Sequence, residues 1–401
     1  MPRSFLTLQG PASPFFAHLS ASLSARGHAV RRVNFCGGDL VYGERTAALN
    51  YTGKTGELSN WYDNILQHEG VTDVLMFGDC RAIHLPMHAI ARARGVAVHV
   101  FEEGYVRPYW LTLERQGVNG RSALPRDPAY YLDIHGSIPP CPLGKETGYS
   151  LIERASHDIR YRAANLLFSR YFRHYVSHRP RNGAVEYLGL ARRALSSGRQ
   201  HANAQLITEE LLTTEREYFL FPLQLNSDAQ IVVHSPFSGI CDAIERVMRS
   251  FASYAPKSSW LLIKNHPLDT GLIDYKRFAN CLARELDIDD RLCFIDAGHL
   301  PTLLEHARGV VVVNSTVGLS ALHHRRPLLA LGAAIYSIDG LTWQGTLDAF
   351  WNEAKAPDDR LYRAFLDYVV HRTQINGDFY TRSGIEMATE GAIQRLEAFY
   401  D

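Results

Sequence analysis

The chain predicts an α/β protein made of two Rossmann-like halves with a helical insert between them. Three observations carry this prediction. Strand and helix signals alternate over the first 110 residues, they alternate again between 218 and 330, and residues 150–215 read as helix with few breakers. A length of 401 residues is ample for two cores.

In the first half, apolar runs at 5–8, 30–35, 73–77 and 96–101 read as strands, with helices at 15–25 and 84–94. That punctuation predicts a parallel sheet covered by helices. Residues 105–149 carry repeated Pro and Gly and read as loops. The helical stretch that follows is broken only at Pro180 and Asn182-Gly183. It is basic: ten arginines between Arg154 and Arg199 meet only Glu153, Asp158 and Glu186, and Tyr161, Phe168, Tyr171, Phe172 and Tyr175 are interleaved. A second set of strands is expected at 218–221, 231–233, 260–263, 292–295, 310–313 and 328–330, and two closing helices at 358–374 and 384–400. The expected boundaries are 1–210 for an N-terminal domain including the basic segment from about 150, 211–355 for a C-terminal domain, and 356–401 for helices that pack back on the first domain.

Composition narrows the function classes. Forty-two basic residues balance forty-two acidic ones, so no whole-molecule field points to nucleic acid. The longest apolar runs are strand-length, far short of the roughly 20 residues that span a bilayer. The first residues, Met1 to Leu8, lack the apolar core of a signal peptide. Six scattered cysteines with no CxxC pair fit reduced thiols in the cytoplasm, the expected location. No internal repeat stands out, and neither the dinucleotide fingerprint G-x-G-x-x-G nor a Walker sequence is present.

The candidate chemistry sits at strand ends. In open parallel sheets, ligands bind where the carboxyl ends of strands meet helix N-termini. Lys264-Asn265-His266-Pro267 ends one apolar run, and Asn314-Ser315-Thr316 ends another and runs into a helix. Ser315 and Thr316 suit a phosphate, because free backbone N–H groups and the helix dipole favour an anion there; they suit a plain N-cap equally. His266 can donate to a phosphate or sugar carboxylate, or satisfy a nearby carbonyl. Lys264 and Asp269 read as solvated. Gln224 and Asp228 lie in a polar segment between two strands, where Asp228 suits a nucleophile, a base or a cap.

In the first half, Glu102-Glu103-Gly104 ends the strand 96–101. Adjacent carboxylates alternate sides, so one can face a cleft while the other holds backbone or an arginine such as Arg107. A desolvated carboxylate there has the raised pKa that acid/base work needs; two surface acids in a turn are the plain alternative. Asn34 to Asp39, with Gly37-Gly38 free to approach a ligand or turn tightly, and Gly78-Asp79-Cys80-Arg81 end two further strands. The histidines show no H-x-x-x-H spacing with a third ligand that would suggest a zinc site, and no G-x-S-x-G suggests a hydrolase.

Halves of this kind occur in GT-B glycosyltransferases, two-domain dehydrogenases and periplasmic-binding-like proteins. The motifs together resemble one family, the capsular-polysaccharide β-Kdo transferases of Gram-negative bacteria, of the single-module KpsS/LipB type. The resemblance is carried by Phe5 to Pro11 and Pro14-Phe15-Phe16, by Gly27-His28, Arg32 to Asp39 and Phe77 to Arg81. It continues through Phe101 to Pro108, Gly117 to Gly120, Pro222 to Leu225, His266-Pro267 and Asn314 to Gly318.

The resemblance implies a GT-B-like enzyme with the two domains facing across a cleft, no cofactor and no metal. It would move β-Kdo from CMP-β-Kdo to a glycerophospholipid, lysophosphatidylglycerol, with retention of configuration. It further implies Glu102 as acid/base with Glu103 in support, His266 on the CMP phosphate, and Asp228 as nucleophile. The implied binding set is Ser315, Thr316, Asn314, Pro267, Lys264, Gln224, Asn34, Asp79, Arg107, Gln9 and Gly10. CMP has a single phosphate, so the donor presents no diphosphate for a metal to bridge. The basic helices would then meet the inner leaflet of the inner membrane, placing the enzyme peripherally on it, with the two-module capsule Kdo transferase as a partner. The alternatives are another CMP-sugar transferase of sialyltransferase type and a non-catalytic adaptor for capsule assembly or export.

Overall fold

A computed structural model describes residues 2–43, 48–177, 183–214, 216–226 and 229–398. Contacts divide the chain into two units: Met1–Ala123, Pro140–His178 and Tyr368–Asp401 form unit 1, and Leu124–Pro139 and Arg179–Asp367 form unit 2.

Unit 1 holds β1 (Ser4–Thr7), β2 (Ala29–Asn34), β3 (Ala48–Asn50), β4 (Asp73–Phe77), β5 (Ala97–Glu103) and β6 (Trp110–Arg115). Unit 2 holds β7 (Tyr218–Pro222), β8 (Trp260–Lys264), β9 (Leu292–Ile295), β10 (Gly309–Val312) and β11 (Leu328–Ala330). The last strand, β12 (Gln374–Asn376), returns to unit 1.

The first sheet has the order β12-β6-β5-β4-β1-β2-β3, and its five strands from β5 to β3 are parallel. The hairpin strand β6 and then β12 extend it antiparallel. The second sheet, β11-β10-β7-β8-β9, is parallel throughout. Both sheets therefore reverse direction beside their first strand, between β1 and β4 and between β7 and β10. A crevice opens at such a switch point, at the carboxyl ends of the strands.

Alternation along the strands explains the layering of unit 1. Phe5, Leu75 and Phe101 face one side, under α1 (Phe15–Ala25) and the last helix, Arg382–Ala398. Leu6, Val74, Met76 and Val100 face the other. That second face also buries residues of α3 (Leu58–His68) and α4 (Leu85–Ala93). The short α2 (Gly37–Val41) lies between α1 and α3 in sequence and meets α6 (Leu151–Leu167), which follows α5 (Pro128–Ile134). A Cβ on Gly37 would fall 2.1 Å from the Ala164 carbonyl oxygen and one on Gly38 2.4 Å from the Tyr161 ring. The two glycines expected to approach a ligand are instead closed over by a helix. In unit 2 the core around Phe219, Phe251, Phe350 and Trp351 backs the sheet.

Several expectations change. Residues 231–233 form no strand: α8 (Ala229–Val232) takes Ile231, fully buried, while Val232 and Val233 are exposed. A short β-branched run does not by itself distinguish strand from buried helix. The stretch read as loop, 105–149, contains β6 and α5, whose patterns are hidden among prolines and glycines. The helical insert divides, α6 lying in unit 1 and α7 (Gly183–Thr213) in unit 2, against β9. The unit boundaries thus differ from a cut at 210, and residues 124–139 also belong to unit 2. At the C-terminal end, 356–367 lie in unit 2 and 368–401 in unit 1. Among the described residues no helix is long and apolar enough to cross a membrane.

Candidate functional site

Each unit places a glutamine two residues beyond its first strand, at the switch point. In unit 1 this is Gln9, buried, whose Oε1 accepts from Arg81 Nη1 at 2.9 Å. The same arginine nitrogen donates to the Gly10 carbonyl at 3.0 Å, and the guanidinium lies 5.0 Å from the centre of the Phe77 ring. Gln9 Nε2 donates to Asp39 Oδ2 at 3.1 Å and to Tyr175 Oη at 3.2 Å. Asp39 also accepts from the Phe35 N–H at 2.9 Å and the Tyr161 hydroxyl at 2.7 Å. Burial pushes the Tyr161, Tyr175 and Cys36 groups well above their usual pKa, with Asp39 adding to each, so all three stay protonated. Gly10 is small because a Cβ there would meet the Phe16 ring at 2.9 Å.

Glu102 and Glu103 lie inside β5 rather than beyond it, paired with Thr112 and Leu111 of β6. The strand sends them to opposite faces. Glu102 Oε2 lies 3.5 Å from where a Cβ on Gly78 would stand, at the end of β4, and its Oε1 accepts the Glu103 N–H at 2.9 Å. Gly78 has φ +70°, a left-handed conformation that suits glycine. Its carbonyl accepts from His84 Nδ1 at 2.6 Å. His84 is fully buried, and desolvation together with Arg81 holds its pKa well below the usual value, so the ring is neutral. Glu103 accepts from the Tyr380 hydroxyl at 3.1 Å and lies 3.5 Å from Arg154, which stacks on the Tyr380 ring at 4.9 Å. Glu103 is thus a tie to α6. Gly104 completes the motif because a Cβ would fall 2.1 Å from the Trp110 carbonyl oxygen across the hairpin.

Other unit 1 candidates hold backbone or neighbouring strands. Asp79 is buried and accepts from the Val118 N–H at 3.3 Å and the Cys80 thiol at 3.0 Å; burial and Asp79 push that thiol up to about 12. Asn34 donates to Asn50 at 2.9 Å, joining β2 to β3. Arg107 is exposed, with its Nε on the Gly104 carbonyl at 3.3 Å.

In unit 2 the second glutamine, Gln224, makes a reciprocal pair with Asn314. Gln224 Nε2 donates to Asn314 Oδ1 at 3.0 Å, and the Asn314 N–H donates to Gln224 Oε1 at 3.1 Å. Asn314 Nδ2 then donates to the carbonyls of Gln230, at 2.7 Å, and His234, at 3.1 Å. Both side chains are buried, and together they bridge the ends of β7 and β10. Ser315 Oγ accepts the Val317 N–H at 3.2 Å, the first turn of the helix Val317–His323. Thr316 is the N-cap residue, with no side-chain cap bond. The buried Tyr336 hydroxyl donates to the Ser315 carbonyl, and a Cβ on Gly318 would stand 2.3 Å from the Tyr336 ring.

The neighbouring strand, β8, ends in Lys264 and continues to Asn265, His266 and the exposed Pro267. His266 Nδ1 accepts the Leu268 N–H at 3.0 Å, which leaves the proton of the neutral ring on Nε2. Asn265 Oδ1 accepts the His266 N–H at 2.8 Å, and its Nδ2 donates to Asp296 at 2.9 Å and Asp269 at 3.3 Å. Arg193, from α7, lies 3.0 Å from Asp269 and 3.4 Å from Asp296. Lys264 and Asp269, expected in solvent, are both buried; desolvation and Arg193 lower the Lys264 pKa. They are buried because the loop folds back over β8 and α7 covers it, a tertiary contact with no local signal.

The structure therefore groups Gln9 with Arg81 at one switch point and Gln224, Asn314 and Ser315 at the other, with Thr316 next in the chain and His266 at the end of the adjacent strand. Asp228 lies outside the described residues. Sequence reasoning missed Asp39, His84, Arg193 and Tyr336 as supports. Arg81 and Asp39 were visible within quoted strand-end motifs, whereas Arg193 and Tyr336 had no signal but distance in the chain.

Comparison with known proteins supplies the family. The family model described as capsule polysaccharide biosynthesis protein matches residues 72–380. The capsule polysaccharide export protein KpsS of Escherichia coli is 34% identical over 379 residues, covering 94% of this chain and 97% of that protein. The capsule polysaccharide modification protein LipB of Neisseria meningitidis serogroup B is 32% identical over 388 residues, covering 94% and 92%. Among solved structures, the beta Kdo 2,7 transferase of Thermosulfurimonas dismutans KpsC aligns over 100% of both chains at 14% identity, with a TM-score of 0.48. The chain belongs to the capsule polysaccharide biosynthesis family.

Proposed function

We propose that this protein is a glycosyltransferase that moves β-Kdo from CMP-β-Kdo to a glycerophospholipid, lysophosphatidylglycerol, with retention of configuration. The observation that carries the reading is the strand-end arrangement in unit 2. The Gln224–Asn314 bridge fixes the switch point, Ser315 and Thr316 open the next helix, and His266 holds its proton on Nε2. Hydroxyl donors after β10 and an imidazole donor after β8, the two strands that flank β7, suit a single phosphate, and membership of the capsule family supports a nucleotide sugar as its source.

In this mechanism His266 Nε2–H donates to the departing CMP phosphate as the bond from the Kdo anomeric carbon to the phosphate oxygen breaks. A carboxylate takes that place on the anomeric carbon, then leaves it to the acceptor hydroxyl, whose proton passes to Glu102. Two inversions give retention. Asp228, outside the described residues, is assigned as the nucleophile from the sequence match alone. Glu103 fixes Glu102 through the strand it shares and through Tyr380. On this reading the reaction takes the donor and the lipid acceptor and no cofactor. The acceptor would be drawn from the inner leaflet of the inner membrane, where the two-module capsule Kdo transferase would extend the product.

The test is incubation with CMP-Kdo and lysophosphatidylglycerol, read by mass spectrometry. A Kdo-lipid product is expected, and Glu102→Gln should lower turnover by about 10²–10⁴-fold, the usual contribution of general acid/base catalysis. No product would sink the reading. A product from CMP-sialic acid instead would reassign the donor.

A further inference from the structure

The helix α6 has two unlike faces. Tyr161 and Ala164 are buried against α2. On the other side Ile152, Ile159 and Leu166 recur every seven residues and are 82%, 54% and 79% exposed, with Leu167 at 77% beside them. At roughly 100° per residue these side chains fall within an arc of about 100°, with Ser156 and Ala163 between them. Large apolar side chains rarely line up in water along one exposed helix face unless that face meets something.

The surrounding charge says what it meets. Between Leu151 and Ser177 five arginines stand against two acids. Arg162 is paired with Asp158 at 2.8 Å and Arg154 with Glu103 at 3.5 Å, so the excess on this stretch is carried by Arg160, Arg170 and Arg173 against Glu153. Arg160 lies along the Tyr42 ring at 5.4 Å, and Arg170 and Arg173 are exposed beyond the end of the helix, beside the exposed Tyr171. An apolar stripe with a cationic border is the pattern of a helix lying in the plane of an anionic bilayer surface: the aliphatic side chains enter the acyl boundary and the guanidinium groups reach the phosphates. A protein surface burying this stripe would leave the excess positive charge uncompensated unless it were itself acidic.

We infer that the outer face of α6 is a membrane-docking surface that takes an anionic phospholipid bilayer. The inference concerns α6 itself and stands whether or not the transferase reading holds, since it is tested without any sugar nucleotide. The experiment is co-sedimentation of the full chain with vesicles of phosphatidylcholine alone and of phosphatidylcholine with phosphatidylglycerol, over a range of salt. Binding is expected to need phosphatidylglycerol and to weaken with salt. The double variant Ile159→Glu, Leu166→Glu should lose roughly tenfold or more in partitioning, and Arg170→Glu, Arg173→Glu a similar amount. All four side chains are exposed, so thermal unfolding should stay unchanged. Equal binding of wild type and both variants would overturn the inference, as would equal binding to the two vesicle types. Absence of vesicle binding together with self-association that Ile159→Glu, Leu166→Glu abolishes would overturn it in favour of a second copy of the chain.

Discussion

Arg193→Met should loosen the loop that carries His266 while leaving α7 helical. Among the described residues Arg193 pairs with both Asp269 and Asp296, and it also donates to the Asp296 carbonyl at 3.2 Å. The arginine side chain is 14% exposed, Asp269 12% and Asp296 22%. Removing the cation leaves two largely desolvated carboxylates facing each other through Asn265. Breaking a buried pair in this way costs about 3–5 kcal/mol when burial is complete, and roughly 2–3 kcal/mol is expected here because Asp296 keeps some solvent. With an m-value of about 3 kcal/mol/M in urea, that moves the unfolding midpoint down by about 0.7–1 M. The same loss frees Asn265, whose Oδ1 holds the His266 N–H, so hydrogen exchange over 264–271 should quicken before global unfolding. Arg193→Lys should recover only part of the effect, since an ammonium cannot present a fork to both acids. An unchanged midpoint and unchanged exchange in Arg193→Met would refute the reasoning.

Three other outcomes follow from close packing and from buried imidazoles. Gly318→Ala should cost about 1–3 kcal/mol by overpacking against Tyr336 and, on the proposed transferase reading, weaken CMP binding through the displaced Ser315; thermal unfolding and calorimetry read the two effects separately. Gly37→Ala places a Cβ 2.1 Å from a backbone oxygen of α6, so α6 should lift from α2 and become the first site of limited proteolysis, with at least about 3 kcal/mol lost from its docking. The pKa values of His84 and His99 are lowered by burial, so the unfolded chain takes up protons that the folded chain refuses. Stability should be full above about pH 6.5 and fall as pH drops below it, by up to about 1.4 kcal/mol per unit for each such group. If His84→Gln folds, its stability-versus-pH slope below pH 6.5 should be shallower than that of wild type.

How much was legible depended on whether the signal was local. Strands such as 73–77 and 292–295 and the helix 15–25 stood out because periodicity and punctuation agree there. The hairpin strand Trp110–Arg115 did not, because prolines and glycines on either side drowned its alternation. Ile231-Val232-Val233 looked like a strand because β-branching outweighed position, yet the sheet has no place for it. The strand-end motifs were visible as polar residues after apolar runs, but their division of labour was not. Whether a side chain at such an end faces a ligand or holds the next loop is decided by partners far away in sequence, as Asp79 with Val118 and Asn314 with His234 demonstrate.

That division of labour sharpens the candidate site. Gln9, Asn34, Asp79, Gln224 and Asn314 all sit where a ligand residue is expected, and each makes buried or partly buried hydrogen bonds to the scaffold. The two glutamines do the same mechanical task in the two units, spanning from the first strand across the reversal of the sheet. A switch point is a crevice between diverging connections, and the glutamines tie its two sides beyond the last paired residues of the strands. The ties allow the residues beside them to keep a fixed direction: Arg81 and Glu102 near one, Thr316 and His266 near the other. Chemistry is therefore expected from the residues next to the glutamines and not from the glutamines themselves. In turnover assays Gln224→Glu should act through stability and donor affinity, because a carboxylate cannot return the donation to Asn314, whereas on the proposed transferase reading His266→Ala should act on the rate of CMP departure.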